Sequence, residues 1–161
     1  PSPLHQELVL ELSATLRNYI REKGGSCKVY PAPFAVFLNE DDKNYVEPDI
    51  SVICSPEKLT DKGYAGAPDW VIEIVSPSSQ RMDYLTKLFK YRTAGVREYW
   101  IIDPDQRLVL VYDFSAAIYP VIYGFDAKIP VAIWDGDCVI DFQEVYDYIH
   151  FLYEKDPNPP Q

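Results

Sequence analysis

Apolar residues stand at Leu4, Leu8, Leu12, Leu16 and Ile20, four apart, with polar and charged residues between them. That spacing gathers them on one helical face, so residues 4–23 are predicted as an amphipathic helix stopped by Gly24-Gly25. Beyond it the pattern shortens. Residues 27–30 and 34–38 read as strands around Pro31 and Pro33, residues 39–44 as a polar turn, and residues 50–54 as a β-rich segment whose side chains alternate between two faces. Residues 55–69, rich in Pro, Gly, Lys and Asp and without periodicity, are predicted as a loop holding at most one helical turn. A continuous apolar strand follows, Trp70-Val71-Ile72-Glu73-Ile74-Val75-Ser76. Ser76-Pro77-Ser78-Ser79 ends it and offers caps for a helix over about residues 80–94. That helix carries Leu85, Leu88 and Phe89 on one face, Asp83, Lys87 and Lys90 on the opposite stripe, and Gly95 as its C-cap. Residues 98–103 and 107–114 are strands joined by the turn Asp103-Pro104-Asp105-Gln106. Further strands are expected at 118–123, 130–134 and 137–141, and a last helix over 142–153. The order helix, strands, helix, strands implies an α/β (α+β) sandwich around a mixed sheet.

Size and composition narrow the class. The chain's 161 residues are enough for one domain with a real core, expected over residues 1–155 with a Pro-rich tail at 156–161. Hydrophobic residues make up 47% and aromatics 14%, which argues against disorder. No apolar run approaches the ~20 residues of a membrane span. No charged-then-apolar leader stands at the start, although the lack of an initial Met suggests trimming. Cys27, Cys54 and Cys138 are widely spaced and odd in number, and read as free thiols of a cytoplasmic protein. A net charge of −10 argues against a surface that grips nucleic acid indiscriminately. Locally the balance reverses: residues 80–97 hold Arg81, Lys87, Lys90, Arg92 and Arg97 against Asp83 alone, which suits a phosphate-bearing substrate as well as a solvated helix face.

The chemistry centres on Glu73. A carboxylate inside a strand of this composition is buried, and burial of an uncompensated polar group costs ~2–7 kcal/mol, more for a charge. Asp49, at the start of the preceding strand, lies 24 residues before it. If the two strands are neighbours, both acids can share a Mg²⁺ (or Mn²⁺), which accepts one or two carboxylates together with waters and phosphate oxygens. The ammonium of Lys87, on the helix that follows directly, would orient or help deprotonate a nucleophilic water and offset phosphate charge. Tyr84 and Tyr91 flank Lys87 and read as half-buried packing, with a hydrogen bond to phosphate as the alternative. Glu98-Tyr99-Trp100 reads as an anchor at a sheet edge or subunit contact. His150 has no acidic or cysteine partner at ligand spacing and reads as surface. Asp61, Asp69, Asp135 and Asp137 sit in turn contexts.

The run Pro48-Asp49, then Glu73-x-Val75-Ser76-Pro77, then Asp83-x3-Lys87-x3-Tyr91-x3-Gly95-Val96-x-Glu98-Tyr99-Trp100-x2-Asp103-Pro104 resembles the Uma-type family of "putative restriction endonucleases", within the PD-(D/E)xK nuclease superfamily. The likeness covers roughly residues 5–145. It implies a restriction-endonuclease-like fold with a central mixed sheet flanked by helices, a DNA substrate, and a homodimer. The superfamily's two acids map to Asp49 and Glu73, and the carbonyl of the residue after the second acid, Ile74, to a third metal donor. Val75 stands where the superfamily's lysine is usual, so the lysine role passes to Lys87 on the helix, with Lys90 one turn further along the same stripe. Asp83, as a cap or a partner of Lys87, and Tyr91 are possible supports, and the resemblance brings His5 and Glu7 of the first helix toward the site. The expectation is a metal-dependent endonuclease. The alternatives are a catalytically weak or inactive module of the same fold acting in binding or assembly, and a nuclease for RNA or branched DNA.

Overall fold

The computed structural model describes residues 1–39, 41, 43–76 and 81–154, without the side chains of residues 81–83. Helix α1, Pro3–Lys23, opens with Ser2 accepting from the His5 N–H and closes at Gly24, whose φ of 68° is the left-handed turn a glycine adopts freely. Leu8, Leu12, Leu16 and Ile20 are its buried stripe, each leucine contributing roughly 1.5–3 kcal/mol by leaving water. In chain order there follow β1 (Lys28–Pro31), β2 (Val36–Phe37), β3 (Ile50–Ile53), a 3₁₀ turn (Pro56–Lys58), β4 (Leu59–Thr60), β5 (Gly63–Ala65) and β6 (Trp70–Ile74). After helix α2 (Arg81–Ala94) come β7 (Glu98–Asp103), β8 (Leu108–Asp113), β9 (Val121–Gly124), β10 (Lys128–Pro130), a second 3₁₀ turn (Ala132–Trp134), β11 (Val139–Asp141), α3 (Phe142–Ile149) and α4 (Phe151–Glu154).

The main sheet has the order β1-β3-β6-β7-β8-β9. Only β6 and β7 run parallel, joined through α2; the other neighbours are antiparallel, so the sheet is mixed as expected. Strand alternation divides the core in two. Trp70, Ile72, Ile74, Trp100 and Ile102 face one side, where they pack with α1 and α3. Val71, Tyr99 and Ile101 face the other, where Tyr84 and Tyr91 of α2 cover them. A small sheet, β2-β5-β4, adjoins this second core. Its close packing requires Gly63 (φ 147°), because a Cβ there would collide with the Ala35 carbonyl.

Several expectations are corrected. Cys27 and Cys54 are disulfide-bonded, not free; only Cys138 is a free, buried thiol. The antiparallel register sets Lys28 opposite Ile53, so the two flanking cysteines meet across the strands although 27 residues apart. The compartment argument from free thiols therefore loses its premise. Leu85 and Phe89 are exposed at 51% and 74%, while Tyr84 and Tyr91 are buried: the tyrosines, not the leucine and phenylalanine, form the packing face of α2. Residues 55–69 contain the β4–β5 hairpin, and 130–134 ends as a 3₁₀ turn. The final helix breaks at His150, whose Nδ1 lies 2.9 Å from Glu154, an acidic partner one turn on. The capping run at 77–79 and the tail at 156–161 lie outside the described residues.

Glu98 lies in an interior strand, not at an edge. It is fully buried, and its carboxylate accepts from Trp100 Nε1 (2.8 Å) and from the N–H groups of Ala132 (3.1 Å) and Ile133 (3.0 Å). Burial pushes its pKa up against these three donors. It clamps the second 3₁₀ turn onto the sheet. Asp69 also exceeds a turn role, accepting from the Cys54 N–H (2.7 Å) and from Arg97 (3.2 Å).

Candidate functional site

The β3–β6 register sets Ile50 opposite Ile72, which brings Asp49 opposite Glu73 and onto the same face of the sheet. Each carboxylate then accepts a backbone N–H from the facing strand. The Asp49 N–H donates to Glu73 Oε1 (2.8 Å), and the Ile74 N–H donates to Asp49 Oδ2 (2.7 Å). One oxygen of each carboxylate is thereby fixed, and the other is left for different partners. Glu73 Oε2 takes Lys87 Nζ at 2.6 Å, and Asp49 Oδ1 meets His5 Nε2 at 3.2 Å. Strand alternation carries Glu73 to the face that α2 covers, and Lys87 reaches down to it from that helix.

Exposure grades across the cluster. The Glu73 side chain is 3% exposed, that of Asp49 21% and that of Lys87 39%, so the carboxylate floor is dry and the ammonium side opens to solvent. Burial pushes the Glu73 carboxyl above its ordinary value, with Lys87 pulling the other way and Asp49 adding to the rise. Burial alone would lower Lys87, but the Glu73 carboxylate outweighs it and holds the amine above its ordinary value. Lys87 is therefore an ammonium at neutral pH. Its Nζ also lies 5.2 Å from the centre of the Tyr84 ring, and the Tyr84 hydroxyl donates to the Ile74 carbonyl (3.2 Å). Tyr91 and Tyr99 stand in edge contact with ring centres 5.0 Å apart. Burial first, and then the Glu73 charge, push both phenols well above their ordinary value, and neither hydroxyl has a hydrogen-bond partner among the described residues.

The structure thus brings together Asp49, Glu73, Lys87 and the Ile74 carbonyl, with Tyr91 packed beside them. Lys90 is exposed and makes no described ion pair. The side chain of Asp83 lies outside the described residues. Glu7 lines a groove with Pro31 and Ala32 and makes no described contact with Asp49; it is His5 of the same helix that arrives. Sequence reasoning did not foresee Tyr84 on the Ile74 carbonyl. The usable signal was its position three residues before Lys87, which places both on one side of the helix.

The donor set is two carboxylates and a carbonyl, all oxygen. Among the described residues no group of three or more His, Cys, Asp and Glu side chains is arranged to hold a metal. Such a set fits a hard divalent cation that keeps waters and takes further oxygens from a substrate, and does not fit an all-protein cage. No described helix is long and apolar enough to cross a membrane.

A solved structure of a "putative nuclease belonging to DUF820" from Anabaena variabilis superposes with a TM-score of 0.74 over 92% of this chain and 83% of that one, at 20% identity, which establishes the shared fold. An uncharacterised protein of Synechocystis sp. is 28% identical over 79 residues, which span 49% of this chain and only 40% of that protein's length. The model of the Uma2 family, described as "Putative restriction endonuclease", matches residues 1–122, a span that holds α1, both acids and the α2 lysine, and the chain belongs to that family.

Proposed function

We propose that the chain is a metal-dependent phosphodiesterase that cleaves DNA, with Asp49 and Glu73 as cation ligands and Lys87 as the group that orients the attacking water. The observation that carries this reading is the pair of crossed hydrogen bonds, Asp49 N–H to Glu73 and Ile74 N–H to Asp49, topped by the 2.6 Å contact of Lys87. A buried strand tolerates the two facing acids because each carboxylate accepts a backbone N–H from the facing strand, Asp49 from Ile74 and Glu73 from Asp49, and Glu73 is also paired with an amine. A Mg²⁺ or Mn²⁺ held by Asp49, Glu73 and the Ile74 carbonyl would acidify water and offset charge on the phosphoryl oxygens. The chain's own groups do the rest. The backbone N–H groups of Asp49 and Ile74 hold the carboxylates in register, so no reorganisation is needed when charge develops. Lys87 keeps its proton on Nζ, so it acts by hydrogen bond and charge on water or phosphate and not as the base. Tyr84 steadies both Lys87 and the Ile74 carbonyl. Family membership supports the nuclease class and a nucleic-acid substrate; DNA and a working homodimer are what the resemblance adds.

The test is cleavage of plasmid DNA and of bis(p-nitrophenyl) phosphate with Mn²⁺ or Mg²⁺, with EDTA as control. Asp49→Asn, Glu73→Gln and Lys87→Met should each lose at least about 10²-fold, as expected for loss of a group that stabilises transition-state charge. Retention of metal-stimulated cleavage by Asp49→Asn and Glu73→Gln would overturn the assignment.

A further inference from the structure

A seam holding two grooves runs between α1 and the edge strand β1. Its helical wall is one stripe of α1: Gln6, Leu10, Ser13, Arg17 and Arg21, spaced four, three, four and four residues apart. At the end near Asp49 the stripe faces Pro31 and Ala32 across a groove of about 430 Å³. The Ala32 N–H there donates to the Asp49 carbonyl (2.8 Å), so this groove adjoins the candidate site through the backbone. At the other end the stripe faces β1 across a groove of about 330 Å³, lined by Arg17, Arg21, Lys28 and Tyr30.

The charge of the far groove is unusual for this molecule. Arg17, Arg21 and Lys28 are exposed, and none of them takes part in an ion pair with a described residue. Three unneutralised cations thus converge on one groove in a chain of net charge −10. Tyr30 also lines this groove, while its ring stacks on Phe34, with centres 4.4 Å apart and planes at 11°, on the side of β1 turned from α1. Cations lining a groove, and not a broad surface, are an element that tracks the backbone of a single nucleic-acid strand. A duplex carries twice the phosphate charge toward a chain of net charge −10, which repels it.

We propose that this α1–β1 seam is a binding track for single-stranded nucleic acid, with Arg17, Arg21 and Lys28 gripping backbone phosphates remote from the cleavage position. The proposal rests on the phosphodiesterase reading and deepens it by naming the substrate form. Helical rise places Arg17 and Arg21 ~18 and ~24 Å along α1 from His5, which itself touches Asp49. A strand on the track therefore reaches the acids several nucleotides from where it is held. The carboxylate of Glu7 lines the near groove and leaves the grip to the far one.

The test is fluorescence anisotropy with a labelled twelve-nucleotide oligo-dT in EDTA, where no cleavage occurs, so the result is independent of the catalytic assignment. Wild type should bind, and Arg17→Ala/Arg21→Ala/Lys28→Ala should bind weakly. Three lost phosphate contacts reduce the salt slope by about 2, so between 50 and 200 mM salt wild-type affinity should fall about 20-fold more than the variant's. Arg17→Lys/Arg21→Lys, which keeps the charge, should keep the wild-type slope and guards against a folding artefact. Wild-type affinity and slope in the alanine variant, no binding by wild type, tighter binding of the matching duplex, or equal binding of a poly-glutamate peptide would each overturn the proposal. Failure here with hydrolysis still dependent on Glu73 removes the track alone; loss of that dependence removes the catalytic reading instead.

Discussion

Replacing Lys87 with Met keeps the length of the side chain and removes the ammonium 2.6 Å from Glu73 Oε2. At that separation the Coulomb attraction is ~6 kcal/mol at an effective dielectric of 20 and ~1.6 kcal/mol in bulk water. Because the Lys87 side chain is 39% exposed, the real setting lies between these limits, and solvent screening cuts the gain further. Breaking a fully buried pair costs 3–5 kcal/mol; with one partner open to water, about 2–3 kcal/mol is expected. For a chain of this size that lowers Tm by about 5–10 °C.

The pH dependence sharpens the test. Burial holds the Glu73 carboxyl above its ordinary value of 4.5, and removing Lys87 takes away the group pulling it down, so it rises further. A carboxyl raised on folding favours the native state when protonated, and that contribution is lost as pH climbs through the folded value. The deficit of Lys87→Met relative to wild type should therefore be widest near pH 7.5 and shrink toward pH 4.5. Lys87 itself, raised above 10.5, stays charged across this window. Thermal melts followed by circular dichroism in EDTA, at both pH values and in a Glu73→Gln background, supply the measurement. In that background the substitution should cost under about 0.5 kcal/mol, the limit at which independent changes simply add. The reasoning is refuted if Lys87→Met costs the same in the wild-type and Glu73→Gln backgrounds, or if its cost persists undiminished at pH 4.5.

Other outcomes follow from the same geometry. Glu98→Ala strands three donors that now converge on the carboxylate, and urea unfolding should show a loss of about 3–5 kcal/mol. Cys27→Ser/Cys54→Ser opens a cross-link spanning 27 residues and should cost up to about 3.5 kcal/mol in chain entropy, read as a fall in the urea midpoint with a steeper slope, because the unfolded chain becomes less compact. Mn²⁺ at a hundredfold excess over its dissociation constant should stabilise wild type by about 2.7 kcal/mol. Asp49→Asn should abolish that gain, and an unchanged melting curve across a Mn²⁺ titration of wild type counts against the cation site.

What could be read from the chain was what is decided locally. The α1 stripe, its glycine stop, the β7–β8 hairpin and the oily strand around Glu73 each follow from a spacing or turn signal within some twenty residues. Glu73 was legible because a charge has no local reason to sit in such a strand. That Asp49 faces it depends on the β3–β6 register, to which the motif pointed but which only the fold displays. The errors share a cause. Leu85 and Phe89 looked like a core face because they are the more apolar residues, yet the crossover turns Tyr84 and Tyr91 toward the sheet. Cys27 meets Cys54, and Glu98 meets Ala132 and Ile133, through pairings 27 to 35 residues apart that no local pattern encodes. The β4–β5 hairpin has strands of two and three residues, too short to show alternation.

The topology explains why these three groups meet at all. A parallel pair cannot be closed by a tight turn, so β6 and β7 need a crossover, and α2 supplies it across one face of the sheet. The side chain of Glu73 points to that same face, whereas those of its neighbours Ile72 and Ile74 point to the α1 side. The helix that must return the chain is therefore the element that covers the acid, and a lysine on its inner side reaches the acid without distorting the strand. The antiparallel neighbour β3 then needs only an acid just before its first residue to complete the pair. Had β6 and β7 been antiparallel, a hairpin would have replaced α2 and left Glu73 without an amine above it. The cluster is thus a consequence of the one parallel pairing in the main sheet.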